Sequence, residues 1–84
     1  MRFTSLNSLL TYMRPVLADC AQKGKKAIAP FCASPENLQT YHEQQFFWMN
    51  HAGFIRGYAE AMQWDSIEEQ EQMDRYFEEM SPKF

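Results

Sequence analysis

A small three-helix bundle, all-α, is what this 84-residue sequence predicts, and three observations carry the prediction. Apolar residues recur at three- and four-residue steps through most of the chain. Two serine-led capping signals stand where helices should start. No segment carries the alternating pattern of a strand. The length fits one helical domain spanning residues 1–84. A chain this short withdraws only about 60% of its unfolded surface from water, so its stability margin is small.

The first helix is expected from about Thr4 to Lys23, with Leu6, Leu9, Leu10, Met13, Val16, Leu17 and Cys20 forming one apolar stripe. Pro15 lies opposite that stripe. It marks one place where the pattern allows a break, although the stripe running through it favours a kink instead. Gly24 is expected to end the segment. Ala27-Ile28-Ala29-Pro30-Phe31-Cys32 then reads as an ordered connector that plugs the end of the bundle.

Ser34-Pro35-Glu36-Asn37 predicts the start of the second helix: serine caps free amides, proline fits the first turn, and an acid suits the positive end of the helix dipole. Continued to about Gln63, the helix would exceed roughly 40 Å at 1.5 Å per residue. Gly53 and Gly57 are its candidate break points. If it is unbroken, Leu38, Tyr41, Trp48, Met49, Ala52, Ile55, Ala59 and Met62 share one face, and Phe47, His51, Phe54, Tyr58 and Ala61 share another. A break at Gly53 would instead reset the phase and place both sets in one core. The two glycines also have the spacing that lets helices approach closely, a weak signal outside membranes.

Trp64-Asp65-Ser66 forms the last turn, and Ser66 with Glu69 makes a capping box for the third helix. Ile67, Met73, Tyr76, Phe77 and Met80 are expected to face the core. Glu68, Glu71, Asp74, Glu78 and Glu79 form an acidic face, relieved mainly by Arg75 through pairs four residues apart with Glu71 and Glu79.

The formal charge of −3 conceals an asymmetry. Residues 1–33 hold Arg2, Arg14, Lys23, Lys25 and Lys26 against Asp19, while the remainder sets ten acids against Arg56, Arg75 and Lys83. Such halves suit contact between subunits or between the ends of one molecule. Lys23-Gly24-Lys25-Lys26 is too narrow for a nucleic-acid footprint and fits the negative end of a helix dipole. An acidic third helix also argues against a helix-turn-helix, since it would repel phosphates.

Chemistry has few candidates. Cys20, Cys32, His42 and His51 lack the close ligand pairs of a zinc site. His51 has no acid at helical spacing on its stripe to orient it as a base, and no phosphate loop or nucleophile elbow is present. The expectation is therefore a non-enzymatic protein without cofactor or metal. The two cysteines read as reduced, buried small hydrophobes. Leu17-Ala18-Asp19-Cys20 superficially looks like a lipidation box, but Arg14, Pro15 and Asp19 interrupt the apolar segment it would need. With no membrane-length apolar run, the chain reads as cytoplasmic.

Two functional readings follow. The surplus of large apolar side chains, with seven Phe, four Tyr and two Trp, suggests a small interaction or regulatory module that binds a protein partner and self-associates as a homodimer. Its expected contact residues are Phe47, His51, Phe54 and Tyr58. The alternative is an acidic inhibitor that imitates nucleic acid and occupies the basic groove of a DNA- or RNA-handling protein, as a mobile-element anti-defence protein would, through Glu68, Glu71, Asp74 and Glu78.

Overall fold

The computed structural model describes residues 3–28 and 34–81. Three helices occupy this span: α1 (Leu6–Ile28), α2 (Pro35–Ala61) and α3 (Ile67–Met80). The small all-α bundle expected from the sequence is the observed architecture.

Local signals set the helix starts. At α1, Ser5 and Ser8 cap reciprocally: Ser8 N–H donates to Ser5 Oγ at 3.2 Å and Ser5 N–H donates to Ser8 Oγ at 3.1 Å. Ser34 Oγ accepts from Asn37 N–H at 3.2 Å, with Pro35 opening α2. The Ser66–Glu69 capping box forms in both directions. Each satisfies amides that the first helical turn leaves without intrahelical partners.

Neither candidate break occurs. α1 runs through Pro15 and also past Gly24, which is buried in line with Met13, Leu17 and Cys20. Pro15 is exposed, so the carbonyl it leaves unpaired can be hydrated, and burial of the opposite stripe offsets the local cost of about 3 kcal/mol. Ala27 and Ile28 belong to α1 rather than to a connector; residues 29–32 of that expected connector lie outside the described residues. α2 runs through Gly53 and Gly57, where an added Cβ would meet nothing within 4 Å. These glycines serve neither as a break nor as a close approach between helices. The helix stops instead at a Schellman motif: Trp64 N–H donates to Ala59 O at 2.8 Å and Gln63 N–H to Glu60 O at 3.1 Å. Gln63 takes the left-handed conformation, φ 60°, that this cap requires.

α1 and α2 form an antiparallel hairpin. Phe3 meets Tyr58 at one end, and Lys23, Lys26 and Ala27 lie beside Asn37, Thr40 and Gln44 at the other. α3 folds back along one broad side of this hairpin, called the front. Tyr76 hydroxyl donates to Leu10 O at 2.9 Å, Trp48 Nε1–H donates to Met80 O at 3.0 Å, and Arg56 lies over the Phe77 ring at 4.6 Å. Leu6, Leu9, Leu10, Met13, Leu17, Ile55, Ala59, Met73, Tyr76 and Phe77 are the buried core. Ile67 does not join it. It is 77% exposed, because the buried stripe of α3 repeats through Met73, Tyr76, Phe77 and Met80, and Ile67 falls out of phase with it. The long α2 gives the molecule extents of 45 × 23 × 16 Å.

Candidate interaction surface

The side of the hairpin opposite α3, the back, is where the sequence-predicted contact residues lie. α2 turns Trp48 and Arg56 toward α3. Phe47, His51, Phe54 and Tyr58, on its opposite side, line up beside α1. Phe47 and His51 share a groove with Pro15, Val16, Asp19, Cys20 and Lys23 of α1. Farther along, Phe54 and Tyr58 have ring centroids 5.9 Å apart, Tyr58 stacks edge-on against Phe3 at 5.5 Å, and Phe3 meets Tyr12 at 5.2 Å.

The four predicted residues are not equivalent. Phe47 and Phe54 are exposed, with Phe54 at 50%, whereas His51 and Tyr58 are half-buried. Tyr58 also serves the fold itself, since its hydroxyl accepts from Phe3 N–H at 3.3 Å and holds the segment before α1 against α2. The exposed rings therefore supply free contact area, while Tyr58 and Phe3 brace one end of the surface.

Sequence reasoning misses three features of this surface. Val16 is half-buried at the groove and Tyr12 is exposed beside Phe3, so α1 contributes to the surface; their spacing with Asp19 and Lys23 is the available signal. Phe46, at 61% exposure, lies with Leu38, His42 and Phe47 around a shallow apolar depression farther along α2. Leu38, Met49 and Met62, which periodicity groups on one face with the buried Ile55 and Ala59, are exposed as well. Apolar side chains surround α2 on all sides, so period alone does not separate the covered direction from the open ones.

Cys20 lies at the wall of the back groove with its thiol pushed up from its usual range, first by burial and then by the neighbouring Asp19 carboxylate. That favours the neutral thiol. Cys32 lies outside the described residues. Among the described residues, no three His, Cys, Asp or Glu side chains come together as metal ligands, and no helix is long and apolar enough to cross a membrane.

The acidic face predicted on α3 is present but partly neutralised from other helices. Glu68, Glu71, Asp74 and Glu78 are exposed. Asp74 pairs with Arg56 at 3.4 Å, and Glu79 pairs with Arg14 at 2.9 Å. Glu79 thus finds its cation on α1 rather than on the expected Arg75, because Arg14 is also drawn to the Tyr76 ring, 5.4 Å away. The pairing raises the Arg14 pKa further, chiefly through its hydrogen bond to Glu79.

No protein-family model matches the chain, and no curated protein or solved structure matches it significantly.

Proposed function

We propose that the chain is a small non-enzymatic interaction module that binds a protein partner through the back of the α1/α2 hairpin. Phe47 and Phe54 are the anchors, Tyr12 and Val16 complete the contact from α1, and His51 and Tyr58 form its floor. One observation carries this reading: the exposed rings of Tyr12, Phe47 and Phe54 lie on the side of the hairpin that α3 leaves open, Phe47 at the groove between α1 and α2 and Phe54 joined to Tyr12 through the ring contacts of Tyr58 and Phe3. Scattered apolar residues are ordinary on a protein surface, but a contiguous aromatic patch marks a contact site. Rigid rings also lose little conformational freedom when they dock.

The acidic-inhibitor reading has less support. Asp74 already has a partner in Arg56, and Arg75 stands among the remaining acids. Such a face resembles an ordinary solvated helix, for which surface ion pairs contribute little.

Site-specific photo-crosslinking separates the two. A photoreactive phenylalanine analogue at position 54 should give discrete adducts in cells, and the same probe at position 71 should give none. The reverse pattern would move the function to the acidic face, and an absence of adducts at both positions would remove the interaction reading.

A further inference from the structure

We propose that the back surface is occupied by a second copy of this chain, two α1/α2 hairpins packing antiparallel into a four-helix core with the α3 helices outside. This rests on the preceding reading of the back as the contact surface and adds the identity of what covers it.

Area is the first argument. A compact chain of 10.0 kDa should expose about 5,200 Å², yet this one exposes 6020 Å². The surplus of roughly 800 Å² belongs to the whole elongated molecule, and it is comparable in size with what each partner contributes to a standard stable interface. The radius of gyration agrees, at 14.5 Å against about 12 Å for a compact domain of this length. A long hairpin covered on one side by a shorter helix is too flat for its apolar content. A second hairpin laid on the open side makes the section nearly isometric and turns both grooves into core.

Charge is the second argument, and it favours a copy over a foreign partner. The back groove is nearly free of net charge, because its Asp19 and Lys23 pair with each other at 2.9 Å. Two identical grooves can therefore meet without burying like charges. The strongly acidic element, α3, lies on the front, so back-to-back packing keeps the two acidic faces on opposite outer sides. A two-fold axis is the natural operator, since one self-complementary patch serves both protomers. On a stripe that runs about 16 Å from Phe47 to Tyr58, an axis near His51 and Val16 sets the Phe47 end of one copy against the Tyr12 and Phe54 end of the other.

The test is absolute mass by light scattering over a hundredfold concentration range, with far-UV circular dichroism on every variant. The wild-type chain should reach twice its 10.0 kDa mass. Phe47→Ser with Phe54→Ser should keep its helicity and dissociate with a Kd raised at least about 30-fold, as expected for anchor residues. In a Cys20→Ala, Cys32→Ser background that keeps its helicity, so that no other thiol lies in the groove, His51→Cys should give a disulfide-linked dimer under mild oxidation and Glu71→Cys should not. A monomer at every concentration would overturn the dimer; if position 54 still crosslinks to another protein, the interaction reading survives it. A dimer that persists in the folded Phe47/Phe54 double variant, or that crosslinks through Glu71→Cys alone, would overturn both assignments of the back surface.

Discussion

Phe54 and Ile55 are neighbours in the chain and belong to opposite regimes of the same hairpin. Ile55 faces α1 and the core and is fully buried. One residue earlier, Phe54 points out of the back and leaves half its surface in water. The same pair of helices thus makes both regions. What separates them is α3, long enough to close the front and unable to reach the back. The hydrophobic content of α2 exceeds what one three-helix core can use, so helix count limits burial here, and composition does not.

Truncating each neighbour exposes this difference most directly. Ile55→Ala should cost about 2–5 kcal/mol through lost transfer energy and an unfilled cavity, a large share of the stability of so small a domain. Phe54→Ala should cost the isolated chain less than about 1.5 kcal/mol, mostly its ring contact with Tyr58. Urea unfolding of both, carried out at a concentration where the chain is monomeric, checks the ordering. Equal costs would mean that the back is core rather than surface.

The front can be probed more gently at Tyr76, whose hydroxyl ties α3 to the backbone of α1 at Leu10. Tyr76→Phe should lose about 1 kcal/mol, the usual worth of one such hydrogen bond. The phenol also carries a pH signature. Burial, more than any charge, raises its pKa above the ordinary 10.0. In the interval above pH 10 the unfolded tyrosine releases its proton more readily than the folded one, so unfolding gains and stability falls as pH rises. The contribution is fully present below the unfolded pKa. Urea midpoints measured from pH 9 upward should decline more steeply for wild type than for Tyr76→Phe; parallel declines would detach the loss from this residue.

How much of this can be read from the sequence follows from which physics acts locally. The starts of α2 and α3 are legible because Ser34 with Pro35, and Ser66 with Glu69, satisfy amides a few residues away. The stripe of α1 is legible because one clean period leaves one direction to bury. Ile67 is misplaced when its apolar character is counted without its phase. Leu38 and Met49 are misplaced for a deeper reason: periodicity identifies faces, but which faces of α2 are covered depends on where α3 lies and how far it reaches. The ion pairs Arg14–Glu79 and Arg56–Asp74 join different helices, so spacing rules within one helix do not find them. Phe47, His51, Phe54 and Tyr58 nevertheless come onto one side, since a continuous α2 requires it. Tyr12 and Val16 share a stripe with Asp19 and Lys23, but that this stripe borders the α2 rings becomes visible only when α1 is laid alongside.

The smallest expected effect concerns neither face. Gly53 and Gly57 lie exposed on the outer side of α2, away from both α1 and α3, with open space where a side chain would begin. Glycine in a helix interior costs roughly 0.5–1 kcal/mol relative to alanine, because the unfolded chain has more freedom to lose. Gly53→Ala and Gly57→Ala should each raise the free energy of unfolding by about that amount, and the two together should give roughly the sum, since each change removes its own excess freedom from the unfolded chain and neither added Cβ meets another element. Thermal melts of the single and double variants measure it. The result sharpens the contrast between front and back because these variants strengthen α2 without adding contacts to either face. If association depends on a preformed back surface, the double variant should dimerise at least as tightly as wild type. Weakened association in a more stable helix would instead show that α2 must bend at these glycines when the surface is used.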